Sequence, residues 1–196
     1  MSSEVAHTGG PCIIILAAPS GSGKSSLARK LIEAIPSISF SVSATTRVPR
    51  ESEVNGVHYH FIRSDAFENA IARDELLEYE EVYPGCYYGT LRSEVNRSSQ
   101  DSPVLLDIDV VGALNVKEEF GAKCLALFVQ APSVKELEVR LEARGTESAE
   151  SLRTRIEKAR HESTYAKRFD AVIVNDHLDK ASTELIGLVR VFMDSF

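Results

Sequence analysis

The chain predicts an α/β fold: a parallel sheet with helices on both faces. Three observations carry this. Short apolar runs alternate with segments of helical periodicity. The runs are apolar throughout rather than at every second position, as strands covered on both faces must be. The first of them ends in a glycine-rich turn that opens a helix.

Taken in order, residues 12–18 form the first buried strand, ended by Pro19-Ser-Gly-Ser-Gly23. Residues 25–35 follow with Leu27, Leu31, Ile32 and Ile35 at helical spacing, and Pro36 stops the helix. Residues 104–108, 123–130 and 171–175 are further buried strands. The last helix carries Leu185, Leu188, Val189 and Phe192 at i, i+3, i+4, i+7.

Two segments break the rhythm. Residues 37–92 hold short runs rich in turn signals, and Asn55-Gly56 between two of them predicts a hairpin. Residues 133–168 are helical and charged, with nine Lys/Arg against seven Asp/Glu. The whole chain has a net charge of −7, so this segment, at +2, leaves −9 for the rest. A positive element in an acidic protein suits closure over an anion.

The acidic balance argues against nucleic acid or an anionic membrane as partner. No apolar run is long enough to span a bilayer. Residues 1–10 read as a flexible tail without the features of a secretory signal. Three widely spaced cysteines make neither a disulfide framework nor a zinc site; Cys12 and Cys124 lie in apolar runs and are expected in the core. The expected setting is cytoplasmic.

The most specific local motif is Ala18-Pro19-Ser20-Gly21-Ser22-Gly23-Lys24-Ser25-Ser26, between a buried strand and a helix. Its glycines let backbone N–H groups converge on phosphate oxygens, and the helix N-terminus adds partial positive charge. Lys24 would bridge the β- and γ-phosphates, and the Ser25 hydroxyl would face Mg2+. Ala18 stands where the general pattern has glycine, which requires a negative φ. Asp107, closing the strand 104–108, is the second candidate Mg2+ group. These residues point to a nucleoside triphosphate as donor but leave the acceptor open. The bland reading is a capping turn with a helix-capping aspartate.

The run Ser41-Val-Ser43-Ala-Thr45-Thr46-Arg47-Val-Pro49-Arg50 bears on the acceptor. Pro49 holds the chain extended, and two guanidinium forks at this spacing suit a phosphate dianion.

With Glu53-x-x-Gly56-x-x-Tyr59, Tyr87-Tyr88-Gly89-Thr90, Leu106-Asp-Ile-Asp109, Arg144-Gly-Thr-Glu147 and Val174-Asn175-Asp176, this run closely resembles the guanylate kinase family, in order from about Cys12 to the last helix. The resemblance implies a P-loop NTPase core with a five-stranded parallel sheet flanked by helices, a small mixed-β GMP-binding subdomain and a helical lid. It divides a single domain of residues 1–196 into a core (11–36, 93–136 and 169–196), a GMP-binding part (37–92) and a lid (137–168). It implies that Arg47, Arg50, Tyr59 and Tyr88 hold the GMP phosphate, and that Ser43, Glu78, Thr90 and Asp109 read guanine. Asn175 and Asp176 would be adenine-side contacts. Lys24, Arg50, Arg144 and Arg155 would be catalytic. Arg153, Lys158, Arg160 and Lys167 are read as solvated.

The activity implied is ATP + GMP to ADP + GDP with Mg2+, extending to dGMP, in a monomer or alternatively a homodimer. A catalytically silent interaction module of the same fold is the competing reading, but such modules lack the loop lysine and lid arginines. A kinase for another small phosphate acceptor would have no use for the guanine-reading set. Cys86, close to Tyr88, is read as an inert loop thiol.

Overall fold

The structure is a computed structural model and describes residues 10–143 and 149–195. Five strands form a parallel sheet in the order β2 (Ser39–Phe40), β7 (Val104–Asp107), β1 (Ile13–Ala17), β8 (Cys124–Gln130), β9 (Ala171–Val174). β1 is central and wholly buried. Its side chains alternate between two cores. Ile13, Ile15 and Ala17 face α4 (Val110–Phe120), while Ile14 and Leu16 face α1 (Lys24–Ala34) and α7 (Leu178–Asp194). Cys12 and Cys124 are buried free thiols, as expected, and burial pushes both thiols up, Cys12 to about 11 and Cys124 to about 12.

The expected α1 and α7 form with Leu27, Leu31, Leu185 and Val189 inward. Among the described residues no helix is long and apolar enough to cross a membrane.

A second, mixed sheet has the order β4 (His60–Phe61), β3 (Ala44–Thr45), β6 (Cys86–Leu91), β5 (Leu76–Tyr83). β3 pairs parallel with β4 and antiparallel with β6, which pairs antiparallel with β5. Its small core is built on Phe67, fully buried on α2 (Ser64–Ala72) and stacked on Tyr87 with ring centroids 5.4 Å apart. β2, just after Pro36, belongs to the large sheet, so the small sheet's strands begin at Ala44.

The hairpin expected at Asn55-Gly56 does not form. Gly56 (φ +77) makes a tight turn, its N–H donating to the Tyr59 carbonyl at 2.8 Å, and the Asn55 side chain accepts from the Phe61 N–H at 2.8 Å. The reason is that Val54 and Val57 are exposed and have no apolar face to cover, so nothing selects a two-strand ladder. The hairpin of this unit is β5–β6, turned at Pro84-Gly85, where Gly85 has φ +75.

α5 (Val134–Glu142) and α6 (Ala149–Ser163) pack through Leu137, Leu141 and Ala159 into a third small core. They supply the helical segment expected over 133–168.

Candidate active site

A cavity of about 930 Å³ lies where the three parts meet. Its floor is residues 18–26 and 107–109; Val82 and Tyr83 of β5 and Thr154, Arg155, Lys158 and Glu162 of α6 complete the wall.

The floor is set by the turn after β1. Gly21 and Gly23 have φ +90 and +87, which L side chains rarely adopt, and Ser22 N–H closes the turn on the Pro19 carbonyl at 3.2 Å. Ala18 is not among the positive-φ residues, as its methyl requires. Lys24 opens α1 and turns its ammonium across to the β7 end. There it is ion-paired with Asp107 and donates to the Ile108 carbonyl at 2.8 Å.

Two residues on, Asp109 caps α4, its Oδ1 accepting from Val111 N–H at 2.7 Å and Gly112 N–H at 3.0 Å. Its other oxygen faces Glu78. A methyl group at Gly112 would lie 2.9 Å from Glu78 Oε2 and 3.0 Å from Asp109 Oδ2, so the two carboxylates converge over that glycine. The β5–β6 register sets Glu78 opposite Thr90, whose fully buried hydroxyl donates to Glu78 Oε1 at 2.5 Å. Burial pushes the Glu78 carboxyl up to about 7; the Thr90 hydrogen bond pulls it down, and the Asp109 charge raises it further.

A third group forms around Arg47. Its guanidinium donates to both oxygens of Glu53, at 2.9 and 2.8 Å, to the Val48 carbonyl at 2.8 Å, and through Nε to the Tyr88 hydroxyl at 3.0 Å. It also lies 5.5 Å from the Tyr59 ring centroid. The Arg47 hydrogen bond holds the Glu53 carboxyl down to about 2. Arg47 is therefore not an open fork: Glu53 occupies its bidentate face, leaving one Nη2 hydrogen for another anion. The Tyr88 oxygen accepts from Arg47, which leaves its own O–H proton to donate. Arg50 is exposed, with its backbone N–H on Glu53 at 2.8 Å.

The structure thus brings Pro19 to Ser26, Asp107, Asp109 and Arg155 to one cavity, and Glu78 and Thr90 beside Asp109. Tyr59 and Tyr88 meet edge to face at 5.7 Å. Ser43 immediately precedes β3 of the small sheet, its carbonyl accepting from His60 N–H at 2.9 Å. Asn175 and Asp176 part company: Asn175 is buried beneath the phosphate loop, and Asp176 stands exposed beside His177. Arg144 lies outside the described residues, as do residues 1–9 of the expected tail.

Two charged residues beyond the sequence expectation line the cavity, Lys158 and Glu162. Lys158 is exposed, as read, and also pairs with Glu80 of β5 at 3.4 Å and with Glu162 at 3.9 Å, spanning from α6 to the small sheet. The available signal was spacing: Arg155, Lys158 and Glu162 fall at i, i+3, i+7 on one helix face. Burial pushes the Glu162 carboxyl up, and the Lys158 charge opposes it.

The sequence model of the family described as Guanylate kinase matches residues 11–191. The chain belongs to the guanylate kinase family. It is 53% identical over 183 residues to the guanylate kinase of Salinibacter ruber, covering 93% of this chain and 97% of that one. It is 44% identical over 183 residues to that of Bacteroides thetaiotaomicron, covering 93% and 90%. Among solved structures, the crystal structure of guanylate kinase from Anaplasma phagocytophilum superposes with a TM-score of 0.73 at 28% identity, over 93% of this chain and 86% of that one. Family membership accounts for both sheets at once, the large parallel one and the small mixed one.

Proposed function

We propose that this chain transfers the γ-phosphoryl group of ATP to GMP, giving ADP and GDP, in the cavity between the large sheet, the small sheet and α6. One observation carries the reading. The short turn after β7 serves both halves of the site: Asp107 and the Ile108 carbonyl hold Lys24 of the phosphate loop, and Asp109 converges with Glu78.

The loop amides and the start of α1 cradle the donor phosphates. Lys24 exchanges Asp107 for the β- and γ-phosphate oxygens. On the acceptor side, ionised Glu78 and Asp109 accept guanine N1–H and the 2-amino group, while Thr90 and Ser43 offer hydroxyls to the base. The phosphate of GMP is taken by the Tyr88 hydroxyl, Tyr59, the spare Arg47 hydrogen and the exposed Arg50. A phosphate oxygen of GMP attacks the γ-phosphorus, and the bond to the β-phosphate oxygen breaks. No general base is required, since the attacking oxygen is already anionic. Arg50, Arg155 and Arg144 neutralise charge spreading onto the equatorial oxygens. Closure of α5–α6 over the site keeps water from competing as acceptor.

The residues present suit Mg2+. Ser25 and Asp107 line the same cavity with hard oxygen donors. Among the described residues no three His, Cys, Asp or Glu side chains converge into a cage. That fits an ion which keeps several waters and takes its remaining ligands from one or two protein groups and the substrate phosphates. Ser25 and Asp107 would hold the ion, which would supply charge neutralisation at the triphosphate when bound with ATP. dGMP, with the same base and phosphate, is the second acceptor. The acceptor unit is the part of residues 37–92 that follows β2, since β2 belongs to the large sheet, and the lid corresponds to 137–168, in a chain that acts as a monomer or alternatively a homodimer.

The test is product analysis with MgATP and GMP, for the wild type and Lys24→Ala. ADP and GDP formed in equal amounts, with turnover lost about 10³-fold in the variant, support the reading. GMP binding without turnover in the wild type would favour an interaction module instead.

A further inference from the structure

We propose that Asn175 is a positioning residue: its side-chain amide fixes the phosphate loop in its anion-ready shape and ties that loop to the first lid helix, α5. The proposal rests on the nucleotide-kinase reading above. It changes the part Asn175 takes, from contacting the donor base to shaping the loop that holds the donor phosphates.

Asn175 follows β9 and is held at three points. Its N–H donates to the Gln130 carbonyl at 2.8 Å, its own carbonyl accepts from Arg140 Nη1 at 3.0 Å, and its Nδ2 donates to the Ser22 carbonyl at 2.8 Å. Only 6% of the residue is exposed, and it is absent from the cavity wall, which leaves little surface for a base.

The Ser22 hydrogen bond has a geometric consequence. In a planar trans peptide the C=O and the following N–H point in opposite directions. With the Ser22 carbonyl turned to Asn175, the Gly23 N–H is turned away from it, to the side where the loop faces phosphate. The fit is close. A methyl group at Gly23 would lie 2.2 Å from Asn175 Nδ2, so the glycine serves the amide's approach as well as its own φ of +87.

α5 reaches this loop once directly and once through Asn175. Arg140, itself paired with Glu136 at 2.9 Å, holds the Asn175 carbonyl. Leu141 packs on Gly21, where a methyl group would lie 3.1 Å from its Cγ and Cδ2. The base of the lid thus touches the phosphate loop at Gly21 and shares Asn175 with it.

A probe without a base separates the two parts Asn175 could take. Binding of magnesium tripolyphosphate, MgATP and GMP is measured by calorimetry on the full chain, for the wild type, Asn175→Ala and Asn175→Asp. Losing the donor leaves the Ser22 carbonyl buried and unpaired, so tripolyphosphate and ATP should weaken together by about tenfold. GMP should bind within about twofold of wild type, which also reports that the variants are folded. Loss of ATP affinity with tripolyphosphate unchanged would overturn the proposal in favour of a base contact. No change in either ligand would overturn it too, as would loss of GMP binding in both variants, which would make Asn175 a folding element. Failure of the wild type to turn over GMP would bring down the kinase reading alone, because the tripolyphosphate comparison does not depend on turnover.

Discussion

Replacing Glu78 with glutamine should stabilise the ligand-free protein at alkaline pH and disable it. The Glu78 carboxyl is raised from its ordinary 4.5 to about 7, chiefly by burial. That displacement corresponds to about 3 kcal/mol against the ionised form. Below pH 4.5 the carboxyl is protonated in both folded and unfolded chains, and there is no penalty. Between 4.5 and 7 the unfolded chain loses the proton while the folded chain keeps it, so stability falls as pH rises. Above about 7 the full penalty is present and constant. A glutamine does not titrate, and its amide oxygen can still accept from the Thr90 hydroxyl that now donates at 2.5 Å. Urea unfolding from pH 4.5 to 9 should show wild type and Glu78→Gln nearly equal at the acid end. At pH 8 the variant should be more stable by about 3 kcal/mol. GMP affinity should fall by three orders of magnitude or more, since the amide offers a donor where guanine also offers donors. Parallel pH profiles for the two proteins would refute the reasoning.

Gly23→Ala should abolish ATP binding. It forces a methyl group to within 2.2 Å of the Asn175 amide and an L residue into φ +87, and the strain alone costs about 1–2 kcal/mol, readable as a lowered Tm. Phe67→Ala, which empties the centre of the small sheet's core, should cost about 3–5 kcal/mol in urea unfolding. By calorimetry it should weaken GMP binding more than ATP binding.

The large sheet was legible because its longer strands are apolar throughout, apart from Asp107 and Gln130 at the ends of β7 and β8. β1 could not be read otherwise: Ile13 to Ala17 has no polar face to place in water. The phosphate loop was legible for the same reason at higher resolution, since Gly21 and Gly23 sit where φ must be positive. Around residue 55 local chemistry misled. Asn-Gly marks a turn in either case, but whether strands flank it depends on burial that two exposed valines do not offer. The Arg47–Glu53 fork was hidden because Arg47 and Glu53 were read for different purposes, and their pairing depends on how the loop 47–53 folds back. Asn175 shows the widest gap. Its position after a strand was readable, but a hydrogen bond spanning 153 residues to Ser22 belongs to the fold, not to any local pattern. Lys158 was set aside as one of many lysines and arginines. Only the approach of α6 to β5 separates it from Arg160, which pairs with Glu138 within the helical unit.

The most direct test is acceptor specificity. Initial rates of ADP formation would be measured with MgATP and, in turn, GMP, AMP, CMP and UMP. The Glu78–Thr90–Asp109 group predicts kcat/KM for GMP above that for AMP by about 10⁴-fold, because adenine lacks both donors those carboxylates need. AMP turned over within tenfold of GMP would contradict the assignment of that group to guanine, and with it the account of this cavity.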